Sequence, residues 1–284
     1  IYFLFKKISK FDFIHLHVPN PFVGFFLLFF NYKKIVISWG SDIINQKILK
    51  TFYYPFQYFL LNKAYKIICL SSEYFKSSKD LKNFGKKVSI IPPIIKSKEK
   101  KKYFNKEKIN ILMIGRLVDY KRHDLAIKSL ASLPNKFELN IIGDGKNKGK
   151  LNQLIYDLNL TKRAKILDKV NEKKKYFYLK KSDVFLMCSN TRAESFGISI
   201  LEAISCGLPL VISNVKGSGM NDMIVNNVNG LKFKKNSLND CVKKLLMISK
   251  NKNKLKSFSK NSFKIYKKKF NINKIEKNLN NIYK

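Results

Sequence analysis

Two glutamates, Glu194 and Glu202, stand with seven residues between them in the stretch NTRAESFGISILEAISCGLPL, residues 190–210. Ser195-Phe196-Gly197 follows the first glutamate, and a helical pattern carries the second before stopping at Gly207-Leu208-Pro209. The apolar run 184–187 just upstream reads as a strand. The order is therefore strand, loop with a carboxylate, helix with a second carboxylate, glycine stop. Open α/β sheets bind ligands at such strand-to-helix turns. Eight helical steps would cover roughly 12 Å, a span suited to two parts of one extended ligand. The free N–H groups of a helix start favour anions, and a carboxylate beside them can accept hydrogen bonds from sugar hydroxyls. The plain alternative is a surface helix with two solvated glutamates.

Three further clusters fall at strand ends. Gly115-Arg116-Leu117 is followed by Lys121. Glycine lets a ligand approach the backbone, and an arginine fork with a lysine point charge can hold a diphosphate. The chain has only four arginines, at 116, 122, 163 and 192, so an arginine at this turn carries more weight than one more lysine. Gly143-Asp144-Gly145 reads either as a ligand-lining turn or as a turn that needs glycine alone. Gly217-Ser218-Gly219-Met220 reads either as backbone N–H groups facing an anion or as a plain turn.

The elements that must position these residues alternate along the chain. Strands are expected at 11–17, 34–38, 66–70, 88–91, 109–114, 137–142, 164–167, 184–187, 210–212 and 231–233. Helices are expected at 1–9, 22–30 (short and buried), 43–63 (with a break at Pro55), 73–84 (capped by Ser71-Ser72), 123–133, 150–158, 172–180, 238–249, 253–268 and 272–282. Such alternation argues for parallel sheets built from right-handed crossovers. The charged segment 96–108, KSKEKKKYFNKEK, lacks apolar periodicity and reads as a linker. A solvated loop inside one domain is the other reading.

A length of 284 residues allows two ordinary domains, and 45% hydrophobic residues suffice for two cores. The net charge of +38 is almost wholly lysine and spreads along the chain with much Asn, Ile, Phe and Tyr, as a bias in residue choice would produce. It favours anionic partners such as nucleotides or lipid headgroups. Specific nucleic-acid reading is not expected, because arginine is scarce and no recognition module is visible. Cys69, Cys188, Cys206 and Cys241 form no C-x-x-C pair and read as buried free thiols in a reducing compartment. The apolar run 22–30 is too short to span a bilayer, and no signal peptide is recognisable.

Taken in order, Gly115-Arg116-Leu117 with Lys121 and Asp124, Gly143-Asp144-Gly145, Glu194-Ser195-Phe196-Gly197 with Glu202-Ala203, Gly207-Leu208-Pro209 and Asn229-Gly230-Leu231 resemble the family 4 retaining glycosyltransferases. The resemblance covers about residues 11–284 and is strongest over 109–233. It implies an α/β, GT-B fold of two Rossmann-like domains with parallel sheets. Residues 1–97 would form the acceptor-side domain and 98–268 the donor domain, with 269–284 a helix returning to the first. The family's usual opening strand and glycine-rich loop are absent before residue 11, so the N-terminal domain is expected to be incomplete.

The implied reaction is hexosyl transfer with retention, from a nucleoside diphosphate sugar to a glycan or lipid-linked acceptor in surface polysaccharide or lipopolysaccharide synthesis. By resemblance, Gly115, Arg116 and Lys121 would meet the donor diphosphate, and Glu194 the hydroxyls of the transferred sugar. Ser195, Phe196 and Gly197 would stand beside that sugar with backbone N–H groups. Glu202 would bind the ribose, Gly143 would line the site and Val170 would lie by the base. Many relatives place a histidine in the loop matching Trp39-Gly40-Ser41-Asp42. Here Gly40 stands at the nearest position, and His17 at the end of the preceding strand is the catalytic candidate in its place, or else a structural histidine. No cofactor and no metal are expected, since no clustered Asp/His ligand set is visible. The expected location is cytoplasmic, with peripheral contact at the inner face of an anionic membrane. A catalytically impaired relative or a non-enzymatic polyanion-binding module is the alternative.

Overall fold

The computed structural model describes residues 10–28, 34–43, 47–95 and 107–284. The expected opening helix and the linker up to residue 106 lie outside the described residues. Two parallel sheets organise the rest. The first joins β1 (Phe13–Val18), β2 (Lys34–Trp39), β3 (Lys66–Cys69) and β4 (Val88–Ile90) in sequential order. Helices α1 (Pro21–Leu28), α2 (Lys47–Lys63) and α3 (Ser72–Ser77) connect them. The centre of strand β2, residues 35–37, is an unbroken apolar run because both of its faces are buried. Ile35 and Ile37 enter one core with Leu60 and Leu61, while Val36 enters another with Ile68 and Ile91.

The second sheet holds β5 (Ile109–Ile114), β6 (Phe137–Ile142), β7 (Ala164–Leu167), β8 (Val184–Met187), β9 (Leu210–Asn214) and β10 (Gly230–Lys234). Its order is β10-β9-β8-β5-β6-β7, with every pairing parallel. The intervening helices are α4 (His123–Ala131), α5 (Lys148–Asp157), α6 (Glu172–Lys181) and α7 (Ile198–Ser205), followed by α8 (Leu238–Ser249), α9 (Lys252–Lys269) and α10 (Ile272–Asn280). Along β5, Ile111 and Met113 face the core shared with Leu125 and Leu130, and Leu112 faces the core shared with Ile200 and Leu201. The chain runs outward through β5, β6 and β7, then returns to lay β8 on the other side of β5. The order reverses there, and the loops after β5 and β8 diverge around a crevice.

Some expectations change. Helix α1 is buried on one face only: Leu27 is 1% exposed, whereas Phe22 is 61% exposed. Among the described residues helix α2 covers Lys47–Lys63, residues 44–46 of the expected helix lying outside them, and it runs on unbroken through Pro55, anchored beyond it by buried Gln57, Leu60 and Leu61. The single helix expected at 73–84 is split. Ser78 leaves helical geometry, its Oγ donates to Asp42 Oδ1 at 2.7 Å, and a short 3-10 turn, Lys82–Lys87, follows. All four cysteines are buried free thiols.

The two sheets meet through polar and apolar contacts. Asp222 accepts from Ser71 Oγ at 2.7 Å, Ser72 N at 2.9 Å and Ser72 Oγ at 3.0 Å, capping α3 from the other sheet. Tyr266 donates to the Ile95 carbonyl at 2.5 Å. Beyond α10, the Tyr283 hydroxyl lies 2.6 Å from His15 Nδ1, and its ring meets Phe13 edge-on at 5.3 Å.

Candidate functional site

A cleft of about 430 Å³ opens where the loops after β5 and β8 diverge. Gly115, Arg116, Lys121, Glu194, Ser195, Phe196, Gly197 and Glu202 all line it, with Leu70 contributed by the first sheet. Residues far apart in sequence therefore converge because each follows the carboxyl end of a central strand.

After β5 the chain turns through Gly115, and a 3-10 turn, Asp119–Lys121, brings Lys121 back over it. A Cβ on Gly115 would sit 3.3 Å from Lys121 Cε and Nζ. Arg122 takes a left-handed conformation (φ 54°) that redirects the chain into α4. Its guanidinium is held by Asp124 at 2.9 Å and Asn236 at 2.6 Å.

After β8 the loop delivers Glu194. Its carboxylate is ion-paired with Lys121, and Ser189 Oγ donates to its Oε2 at 3.2 Å. The two paired side chains are 9% and 10% exposed, so each charge depends on the other for compensation. Ser218 Oγ donates to the Glu194 carbonyl at 2.5 Å. Gly197, at φ 90°, opens α7, and the helix's first bonds run from Ile200 and Leu201 N–H to the Gly197 carbonyl. The N–H groups of Ile198 and Ser199 precede those bonds, have no intrahelical acceptor and lie at the cleft. Phe196 turns its ring into the core, edge-on to Phe270 at 6.2 Å.

Glu202 sits in the second turn of α7, with Lys175 of α6 2.5 Å from its Oε1. Lys175 also meets Glu172 at 2.6 Å. Burial pushes the Glu202 carboxyl above its ordinary pKa, and the Lys175 ammonium offsets part of that rise. Burial works to lower Lys175, but its hydrogen bonds to Glu172 and Glu202 outweigh it and leave its pKa raised. Lys175 lines the same cleft and was not singled out by the sequence reading. It is one of three consecutive lysines in a lysine-rich chain, so nothing local marks it.

The remaining candidates lie elsewhere. Gly143 packs beneath the Gly115 turn, where a Cβ would meet the Gly115 carbonyl oxygen at 2.0 Å, so its glycine serves close backbone packing. Val170 is partly buried against the core shared with Leu112, in the loop before α6 and outside the cleft lining. His17 is exposed at the end of β1, stacked on His15 with ring centroids 4.7 Å apart, and does not line the cleft. The Gly217-Ser218-Gly219 turn directs its donors inward. Gly219 N–H donates to the Ser195 carbonyl at 3.1 Å, and Ser218 N–H to that of Val215 at 3.2 Å. That turn fixes the glutamate loop. Among the described residues, no three His, Cys, Asp or Glu side chains are grouped to hold a metal ion.

The family model described as "Glycosyl transferases group 1" matches residues 95–265, more than half of the chain. The chain belongs to that family. It is 27% identical over 231 residues to the D-rhamnosyltransferase WbpZ of Pseudomonas aeruginosa, covering 78% of this chain and 59% of that protein. A TarM variant of S. aureus, solved with fondaparinux, alpha-GlcNAc-glycerol and UDP, superposes with a TM-score of 0.80 at 21% identity, covering 99% of this chain and 57% of the other. Anabaena HepE, solved with UDP and glucose, superposes with a TM-score of 0.81 at 18% identity, covering 99% of this chain and 80% of the other. The fold is GT-B, and the chain spans little more than half the length of WbpZ and TarM.

Proposed function

We propose that the protein transfers a hexose, with retention at the anomeric carbon, from a nucleoside diphosphate sugar to a glycan or lipid-linked acceptor of a surface polysaccharide. The observation that carries this reading is the convergence of Arg116, Lys121, Glu194 and Glu202 on one cleft at the sheet's reversal point. Arg116 and Lys121 supply positive charge beside the start of α7. Negative charge grows on the leaving phosphate as the glycosidic bond breaks, and fixed cations with a helix N-terminus stabilise it there. Lys121 lines the cleft and is paired with Glu194, so an entering diphosphate would share that ammonium with the carboxylate. Glu194 accepts hydroxyls of the transferred sugar, and Glu202 the ribose hydroxyls. The side-chain cations take the role that a metal fills in other transferases.

The UDP in the TarM and HepE structures supports a nucleoside diphosphate as the first ligand to try. Calorimetric titration with UDP, followed by a screen of UDP- and GDP-sugars for release of the nucleoside diphosphate, tests the reading. Saturable binding lost in Arg116→Ala, and turnover lost in Glu194→Ala, are expected. Full turnover in Glu194→Ala, or binding only to polyanions with a steep salt dependence, would overturn it.

The acceptor-side sheet also suits a lipid surface. Ile48, Leu49, Phe52 and Phe59 of α2 are 77%, 63%, 74% and 59% exposed, in a chain of net charge +38. No helix of the described residues is long and apolar enough to cross a membrane. Peripheral binding at the cytoplasmic face predicts co-sedimentation with phosphatidylglycerol vesicles, weakened in Leu49→Ser/Phe52→Ser.

A further inference from the structure

Arg192 is one of only four arginines and stands two residues before Glu194 in the loop after β8. It leaves its own sheet. Its Nη2 lies 3.0 Å from Oδ2 of Asp42, in the loop after β2 of the first sheet. Its guanidinium carbon lies 4.9 Å from the ring centroid of Tyr74, also of the first sheet, and its Nε donates to the Gly217 carbonyl at 3.4 Å.

Asp42 is held before Arg192 reaches it. Its Oδ1 accepts from Trp39 Nε1 at 3.0 Å and Ser78 Oγ at 2.7 Å, and its N–H donates to Tyr74 OH at 2.6 Å. Its side chain is 6% exposed. A buried carboxylate fixed on one oxygen by its own unit presents the other as a preset acceptor for a cation. Arginine suits this place because its fork bonds the carboxylate while its face stacks on Tyr74. The rest of the loop is tied to its own sheet: Asn190 N–H donates to the Tyr120 carbonyl at 2.9 Å, and Asn190 Nδ2 to Asn236 Oδ1 at 3.1 Å. The Gly217 carbonyl also accepts from Ser77 Oγ at 2.8 Å, so a second cross-sheet bond ends on the same oxygen.

We propose that Arg192 is a positioning residue: its ion pair with Asp42 fastens the Glu194 loop to the first sheet, so that the approach of the two sheets sets where Glu194 stands in the cleft. This rests on the reading of Glu194 as the carboxylate that meets the transferred sugar. The role belongs to this pair because Asp42 and Arg192 are 150 residues apart and lie on opposite sheets, while Arg192 is only two residues from the group it places.

Amide hydrogen exchange over residues 190–197 tests the pair without turnover, on the free protein and with UDP. Arg192→Met and Asp42→Asn should each speed exchange there about tenfold, and the double variant no further, since both remove one interaction. Arg192→Lys should recover part of the protection. With a donor sugar accepted in the screen, kcat/KM in Asp42→Asn should fall at least tenfold while UDP affinity stays within about twofold, the split expected when the carboxylate that meets the sugar is misplaced and the groups that hold the nucleotide are intact. Unchanged exchange in both single variants, additive effects in the double, or a loss of UDP affinity as large as the loss in kcat/KM would overturn the proposal. A fully active Glu194→Gln would instead remove the reading of Glu194 and leave the exchange result standing, so the two failures are distinguishable. If Arg192→Met does not fold, Arg192→Lys and Asp42→Asn carry the same comparison.

Discussion

Lys121→Met removes one charge of a pair whose side chains are 9% and 10% exposed. Orphaning a buried charge costs about 3–5 kcal/mol. Here Ser189 Oγ still donates to Glu194 at 3.2 Å and the cleft admits water on one side, which places the expected loss near 3 kcal/mol. The charge-free Lys121→Met/Glu194→Gln variant leaves no carboxylate to compensate and should regain about 2 kcal/mol of that loss. Urea unfolding of the parent, both single variants and the double yields the coupling directly. On the proposed reading the same substitution also deletes a charge-assisted contact to the donor phosphate, worth about 1.5–3 kcal/mol, so UDP affinity should fall roughly 10- to 150-fold. Two results together would refute the reasoning: a Lys121→Met protein within about 0.5 kcal/mol of the parent, and undiminished UDP binding.

Other perturbations probe neighbouring features. Burial raises the folded-state pKa of Glu202, so its contribution to stability is full below the ordinary carboxyl pKa and is lost as pH rises through the raised value. Lys175→Met pushes that value higher still, and thermal melts should show a larger loss at pH 7.5 than at pH 5. His123 has the opposite sign: burial first, then the Lys121 charge, lowers its pKa to about 4, so its contribution is present above about 6.5 and lost as pH falls through 4. In urea titrations His123→Leu should flatten the acid limb of the stability profile by about 3 kcal/mol between pH 6.5 and 4. Gly143→Ala sets a methyl 2.0 Å from the Gly115 carbonyl oxygen, and a lower melting temperature together with weaker UDP binding is expected from the displaced turn.

Most strands and the helices of the second sheet were legible in the sequence because buried parallel strands are short apolar runs bounded by turn residues. The central cleft was legible for a related reason: Gly115, Arg116, Glu194 and Glu202 each follow a recognisable strand, and strand ends gather ligands. What local pattern does not carry is the partner on another element. Lys175 is distinguished from its neighbours only by Glu202, and Arg192 only by Asp42. Asp222 gains its meaning from Ser71 and Ser72, and that same Asp42 ends α3 early by drawing off Ser78. Gly143 and the Gly217–Gly219 turn looked alike as glycine turns at strand ends. Only coordinates show that both pack against protein backbone, one beneath Gly115 and the other against Ser195.

The two halves are joined by contacts of two kinds. In one kind, Val36, Ile68 and Ile91 share an apolar core with Phe270, Ile275 and Ile282. In the other kind, Asp222 and Asp42 meet hydroxyls, amides and a guanidinium. Water can stand in for each of those polar partners at a net cost of about 0.5–1.5 kcal/mol for a neutral bond and 1.5–3 for a charged one, whereas wetting the apolar core forfeits its whole burial. Parting the sheets at the polar contacts therefore costs less than parting them at the apolar ones, and it is the C-terminal helices α9 and α10 that bring Phe270 and Ile275 to the costlier set.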